Sequence, residues 1–426
     1  MAQVAAQGSL VVLGLGSVGR RLGRLVGSAS HPGLGAPAGG GGHPASLSVA
    51  GVADSSTVVY SSSGSLPPES LEALVQRKES SSPEGNLAEL GEHHSLSVAS
   101  TDSLPQLVQS HGDLCGCVVA DCTASLASLD VLCESLRNGG AVALANKKHV
   151  GGSLEHYQSL VDAEAEGGGF GGRLRFESAC GAGTPMVVSA QRLGLGNDRV
   201  HSIVGSLSGT LGVVCDALNN GTPLADAVEF AHWHGLTEPD PRDDLGGEDV
   251  HRKALVLARA VGIPLRPEDV TIEPLYPEKL EGGELCASEF ISKLRNEHND
   301  FQEQLAERAK KASGPLKYVA NIDCVRRKGE VSLQEVTPQS PLGSLSGAAN
   351  LVQFSTDMHG DTPLAVQGAG AGAGVTASGV LADAVEASRC VSAHFSSNSS
   401  INDDGNCSWN GSERHRVEER ATSSSR

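Results

Sequence analysis

A glycine turn near the N-terminus sets the strongest constraint on how this chain can fold. Residues 9–13 are a short apolar run, Ser-Leu-Val-Val-Leu, followed by Gly14-Leu15-Gly16-Ser17-Val18-Gly19 and by a helical stretch over 20–26. Glycines at that spacing suit a tight strand-to-helix turn, close approach of a pyrophosphate to the backbone, and close packing of helix on strand. Amides at the helix start would face the phosphates. Gly14, Gly16, Ser17, Val18 and Gly19 are therefore the first candidate dinucleotide contacts. Further apolar runs at 48–53, 117–120, 141–145 and 173–177 alternate with helical stretches such as 126–137. That alternation predicts a parallel, doubly wound α/β sheet whose carboxyl strand ends face a ligand crevice.

A second constraint lies at 235–262. Residues 238–247 read as a loop, because Pro239 and Pro241 lack amide donors and push Glu238 and Asp240 into extended conformations. Val250, Ala254, Leu257 and Val261 then recur at helical spacing, with Gly262 as the stop. Asp249 and Lys253 fall at i and i+4 on one helix face. One reading is a solvated acidic loop beside an ordinary surface ion pair, worth under about 1 kcal/mol. The other is a site in which Glu238 and Asp249 hold an ammonium group. Lys253 would then exchange a proton with a reacting oxygen, burial having lowered its pKa from about 10. Spacing alone leaves both open.

The remaining strand ends add candidates. Asp54 follows the second strand, where an acid reads the ribose hydroxyls of NAD, or it is simply a turn residue. The Gly/Pro-rich interval 33–44 reads as a surface insertion and lengthens the usual spacing, and Ser55, Ser56 and Thr57 bring no arginine for a 2′-phosphate, which leans to NAD over NADP. Residues 61–95 read as a peripheral insertion with one helical piece at 71–76. Thr123 follows the third strand and Asn146-Lys147-Lys148 the fourth, where Lys147 is a site residue or a surface lysine. Glu177 opens a Gly-rich loop, Ser-Ala-Cys-Gly-Ala-Gly-Thr, able to hold a monovalent cation through oxygen ligands. A Cys180 thiolate nucleophile is the rival there, without an identifiable histidine partner. Residues 200–207 read as a strand, 211–219 as a helix, 288–312 as a charged outer helix, and 317–326 with 331–336 as a hairpin. A glycine run at 368–374 lies between a strand at 364–367 and a helix at 377–388, and a Ser-rich tail, read as disordered, begins near His394.

Charge and cysteine usage narrow the function classes. The net charge of −18 disfavours nucleic acid and anionic membrane as partners. No apolar run approaches the roughly 18 residues of a membrane span. Ten cysteines without a CxxC pair or Cys/His ligand spacing predict reduced thiols, with neither a zinc site nor a disulfide framework, and so a soluble intracellular protein.

The five separated motifs, in this order, resemble those of the homoserine dehydrogenases, which interconvert aspartate semialdehyde and homoserine with NAD(P). The resemblance covers about residues 8–390 and implies a Rossmann-type domain at 1–176, to which 355–392 return. It also implies an α+β substrate-binding and dimerisation domain at 177–354, leaving 393–426 as the tail. By the same resemblance Lys253 is the catalytic acid/base, Lys147 its partner, and Glu238, Asp249 and Asp244 bind substrate. Cofactor contacts would come from the glycine turn, Asp54, Thr123, Lys147, Gly235 and Gly372. A structural sodium would be held by the Glu177 side chain and the carbonyls of Cys180, Ala182 and Thr184. A homodimer without a fused kinase or C-terminal regulatory domain is implied, acting in threonine, methionine and isoleucine biosynthesis, in the cytoplasm or a plastid. Leu211-Gly212 departs from the family's usual Thr-Asn.

Overall fold

The structure is a computed structural model that describes residues 8–28, 47–79, 87–109, 112–168, 171–282 and 285–398. The insertion at 33–44 and most of the tail lie outside the described residues.

The first sheet has seven strands in the order β4-β3-β2-β1-β5-β6-β7, namely Ser97–Ser100, Thr57–Tyr60, Leu47–Ala53, Gly8–Leu13, Val118–Asp121, Ala141–Leu144 and Leu174–Arg175. Strands β2, β1, β5, β6 and β7 are parallel to their neighbours in that series. Every residue of β5 and β6 is buried, as expected for a sheet covered on both faces, which is why these strands read as unbroken apolar runs. The chain order doubles back at β1, so the ends of β1 and β5 open the crevice expected at a switch point.

The region expected to be a peripheral insertion, 61–95, links strands β3 and β4 of this sheet and packs two helices on it. Strand β3 pairs antiparallel with both β2 and β4, and the helix Pro68–Glu79 drives Leu71, Leu74 and Val75 into the core with Leu87 from the helix Leu87–His93. Apolar residues at i, i+3 and i+4 were present, diluted by Ser and Glu.

The second sheet has the order β13-β12-β8-β10-β11-β9, from Leu364–Ala369, Ala349–Thr356, Val200–Ser206, Leu316–Asp323, Lys328–Glu335 and Val270–Ile272. All its pairings are antiparallel except β9 with β11. The helices Gly209–Asn219 and Glu248–Ala260 pack on it. The charged stretch expected as one outer helix is two, Ala287–Asn296 and Asn299–Lys311. Gln302 anchors the second from within, accepting from Ala225 N and donating to Leu294 O.

Residues 355–369 complete the second sheet, and the chain crosses to the first at Gly370–Gly372. The helix Ala373–Asn398 begins inside the glycine run and extends past His394, where the tail was expected to start. Its Ala377, Val380, Ala384 and Ala387 pack with Leu10 and Leu22 in the core.

Candidate active site

A crevice of about 1560 Å³ separates the two sheets, with Ser17, Thr123, Lys147, Glu238, Lys253 and Gly372 among its walls. The glycine turn forms one end. Gly14 takes φ 85°, a left-handed conformation that disfavours a side chain, and donates its N–H to Ala53 O at 2.9 Å. A Cβ on Gly19 would stand 1.9 Å from Gly14 O, so glycine there permits the helix Ser17–Ser28 to close on the strand. Gly16 faces open space. The residues thus fit a dinucleotide pyrophosphate at the helix start.

Asp54 is more committed than an acid free to read a ribose. Its Oδ1 accepts from Ser56 N at 2.9 Å and Thr57 N at 2.8 Å, closing the turn into β3. Its Oδ2 ion-pairs with Lys78 Nζ at 2.8 Å. Burial works against the carboxylate, but Lys78 and the two amides outweigh it and hold the carboxyl below its ordinary value. Lys78 is the cation that the residues next to Asp54 did not supply, and it comes from the helix mistaken for an insertion.

The opposite wall carries the acidic stretch. Residues 238–247 are not wholly a loop, because Pro241–Leu245 is a short helix. Asp240 caps it by accepting from Arg242 N, and Pro241 sits in the first turn, where its missing donor has no partner to lose. Gly247 in the left-handed region then starts the helix Glu248–Ala260. Residues 253–260 of that helix are all buried, so Lys253 is the buried member of its pair with Asp249, whose side chain is 36 % exposed.

Lys253 is 8 % exposed and donates from Nζ to Leu207 O at 2.7 Å and to Asp249 Oδ2 at 2.9 Å. Lys147, at the start of the helix Lys147–Gly151, ion-pairs with Asp249 Oδ1. Two lysines, one beyond a strand of the first sheet and one on a helix packed against the second, therefore converge on one carboxylate. Burial raises the Asp249 carboxyl, but the Lys253 and Lys147 charges overcome this and hold it well below the usual range. Asp249, expected to bind an ammonium group, is occupied as the counterion of both lysines. Glu238 stays exposed at the crevice, and its N–H donates to Asp244 Oδ2 at 2.8 Å. Asp244 is raised by burial and by the Glu238 and Asp249 charges. Gly235 (φ 66°) and Gly372 (φ 118°) border the same space without side chains.

Glu177 spends both carboxylate oxygens on helix amides, accepting from Val187 N at 2.8 Å and Val188 N at 2.7 Å. It caps the helix Met186–Leu195, although burial raises its carboxyl despite those bonds. Burial pushes the Cys180 thiol up to about 12, which removes the thiolate that the nucleophile reading requires. All nine cysteines among the described residues are free thiols.

Asp383 accepts from Glu177 N at 2.8 Å and, by burial and the nearby Glu177 charge, is raised to about 7. The folded chain therefore binds a proton there more tightly than the unfolded one, so this group's contribution to stability declines as pH rises from about 4 to 7. Asp383→Asn is expected to melt above the parent chain at pH 8, the gap closing towards pH 4 in thermal denaturation. A gap independent of pH would contradict this.

Sequence reasoning did not reach three groups that shape the site. They are Lys78, the buried Asp121 with Ser128 and His149, and Arg259, whose guanidinium donates to Val150 O, Gly152 O and Leu265 O. Only Lys78 had a visible signal, in the amphipathic spacing of its helix.

Residues 185–385 match the homoserine dehydrogenase family model. The chain is 33 % identical over 275 residues to the homoserine dehydrogenase of Schizosaccharomyces pombe, covering 63 % of this chain and 72 % of that one. The chain belongs to the homoserine dehydrogenase family. It is also 36 % identical over 287 residues to the chloroplastic bifunctional aspartokinase/homoserine dehydrogenase 2 of Arabidopsis thaliana, covering 67 % of this chain. It spans 31 % of the length of that relative. A hyperthermophilic archaeal homoserine dehydrogenase solved with NADPH shares the fold, with a TM-score of 0.64 at 21 % identity over 90 % of this chain and 98 % of that one. The expected combination of a Rossmann-type sheet and a second sheet of mixed direction is thus the homoserine dehydrogenase fold. Among the described residues no helix is long and apolar enough to cross a membrane.

Proposed function

We propose that this chain is a homoserine dehydrogenase, an NAD(P)-dependent oxidoreductase that interconverts L-homoserine and L-aspartate 4-semialdehyde. The observation that carries the reading is the convergence of Lys253 and Lys147 on Asp249 in a crevice whose other end is a glycine turn shaped for a dinucleotide. A bound nicotinamide supplies the hydride donor or acceptor. The chain's part is to hold the substrate and manage charge at its reacting oxygen. In the reductive direction Lys253 donates a proton to the developing alkoxide, with Asp249 and Leu207 O fixing Nζ. Lys147 brings a second positive charge towards the same oxygen. Glu238 and Asp244 are the carboxylates left to take the substrate ammonium, since Asp249 is engaged by the lysines. Lys78 offsets the Asp54 charge, so a 2′-phosphate is accommodated as well as a ribose hydroxyl.

The reading includes a monovalent cation at Glu177, Cys180, Ala182 and Thr184. Supporting it, the carbonyls of Cys180 and Ala182 take no hydrogen bond among the described residues, whereas Thr184 O already accepts from Met186 N at 2.7 Å. A homodimer, a cytoplasmic or plastid location, and a place in threonine, methionine and isoleucine biosynthesis rest on the family alone. The test is absorbance at 340 nm with purified chain, L-homoserine and either NAD or NADP. Reduced cofactor should accumulate with homoserine and not with serine or threonine. Cofactor binding without turnover of homoserine would overturn the assignment.

A further inference from the structure

Beneath the crevice lies a polar network in a place where apolar packing is the rule. Asp121, at the end of the interior strand β5, is 0 % exposed, as is His149, and Ser128 and Asn146 are buried beside them. Asp121 Oδ1 accepts from Thr123 N at 2.9 Å. Its Oδ2 accepts from Ser128 Oγ at 2.6 Å and from Asn146 Nδ2 at 3.0 Å, with His149 Nε2 at 3.5 Å. Ser128 has one proton and its shorter contact is with the carboxylate, so at 2.8 Å it accepts from His149 Nε2. His149 Nδ1 has no partner among the described residues, so the ring is held from Nε2.

Asn146 carries the network to the site. Its Nδ2 also donates to Ser125 O at 2.7 Å, and its Oδ1 accepts from Lys148 N at 3.1 Å, capping the helix that begins with Lys147. Thr123 lies on the other branch, against the glycine turn, where a Cβ on Gly14 would meet Thr123 Cγ2 at 2.9 Å. Stability alone does not call for a carboxylate here, since apolar residues of similar volume often serve as well as buried charged groups. An apolar residue could not hold Asn146 and Thr123 at once. An amide could not either, because its NH₂ would face the donors of Ser128 or Asn146, or the N–H of Thr123.

Resting on the functional reading above, we propose that Asp121 is the positioning residue of the site: through Asn146 it sets Lys147 against Asp249, and through Thr123 it sets the loop beside the glycine turn. Asp121 touches no substrate; it acts through Asn146 and Thr123.

The test is a double-mutant cycle on the full chain, assayed with homoserine. Asp121→Asn is expected to lower kcat about 10- to 100-fold, the range for a small misplacement of a reacting group. The KM for homoserine should stay within about twofold, because Glu238 and Asp244 lie on the other wall and do not touch the network. On a Lys147→Ala background the same change should lower kcat by clearly less than it does alone, since the Asn146–Lys147 branch is gone and only the Thr123 branch remains. Ser128→Ala, a milder cut in the same network, should repeat the pattern with a smaller fall, and it replaces Asp121→Asn if that variant does not fold. Full multiplicative losses in the double variant, or a rise in KM as large as the fall in kcat, would overturn the proposal. Parent protein that binds NADP without turning over homoserine would remove the functional reading and the proposal with it.

Discussion

Lys253→Ala is expected to lower kcat for homoserine oxidation by about 10³-fold, within the range for loss of a positioned acid/base group. Dinucleotide affinity should survive, because the glycine turn and Asp54 lie at strand ends of the first sheet, away from the Lys253 helix. Asp249 would still be paired with Lys147, so the carboxylate is not left without a counterion and the fold should hold. Steady-state kinetics alongside calorimetric titration of the dinucleotide separates the two effects. Activity within about tenfold of the parent would remove Lys253 from the chemistry.

Arg259→Ala is expected to be the most damaging change away from the crevice. Arg259 is 2 % exposed, lies against the Tyr157 ring at 5.6 Å, and donates to the carbonyls of Val150, Gly152 and Leu265. Val150 O and Gly152 O belong to the end of the Lys147 helix and the residue after it, whereas Arg259 shares a helix with Lys253. The one guanidinium therefore ties together the helices that carry the two lysines. Burial lowers it to about 10, leaving it charged at neutral pH. Truncation leaves two buried carbonyls and the half-buried Gly152 O without their donor and opens a cavity, a loss of about 3–5 kcal/mol in denaturant unfolding. Folded variant should also show reduced kcat, because the Lys147 helix has lost its clamp. A loss below about 1 kcal/mol would show that water or a neighbouring donor replaces the guanidinium.

Where a local pattern has one physical meaning, the sequence could be read directly. The strand-glycine-helix turn at 14–19 and the buried runs of β5 and β6 needed only periodicity and the steric demands of glycine. The Glu248–Ala260 helix was equally plain from the spacing of Val250, Ala254 and Leu257. The structure brings many of the expected residues to one crevice, but their pairings were not legible in the sequence. Lys147 and Asp249 lie far apart in the chain, and nothing local says that the carboxylate serves two lysines rather than an ammonium group. Asp54 shows the same limit from the other side. Its turn bonds to Ser56 and Thr57 are local and were one of the two readings, whereas Lys78 reaches it only because a Ser- and Glu-diluted helix packs on the sheet. Pro241 misled for a more specific reason: lacking an N–H excludes proline from a helix interior but not from its first turn.

The most direct test of the central claim uses L-homoserine carrying deuterium at its terminal carbon, with the reduced dinucleotide recovered after turnover and its label measured by mass spectrometry. If Lys253, Lys147 and Asp249 surround the oxygen of an alcohol being oxidised by hydride transfer, one deuterium per turnover should appear on the reduced nicotinamide and none in solvent. Turnover with unlabelled reduced cofactor, or with the deuterium washed into water, would contradict it.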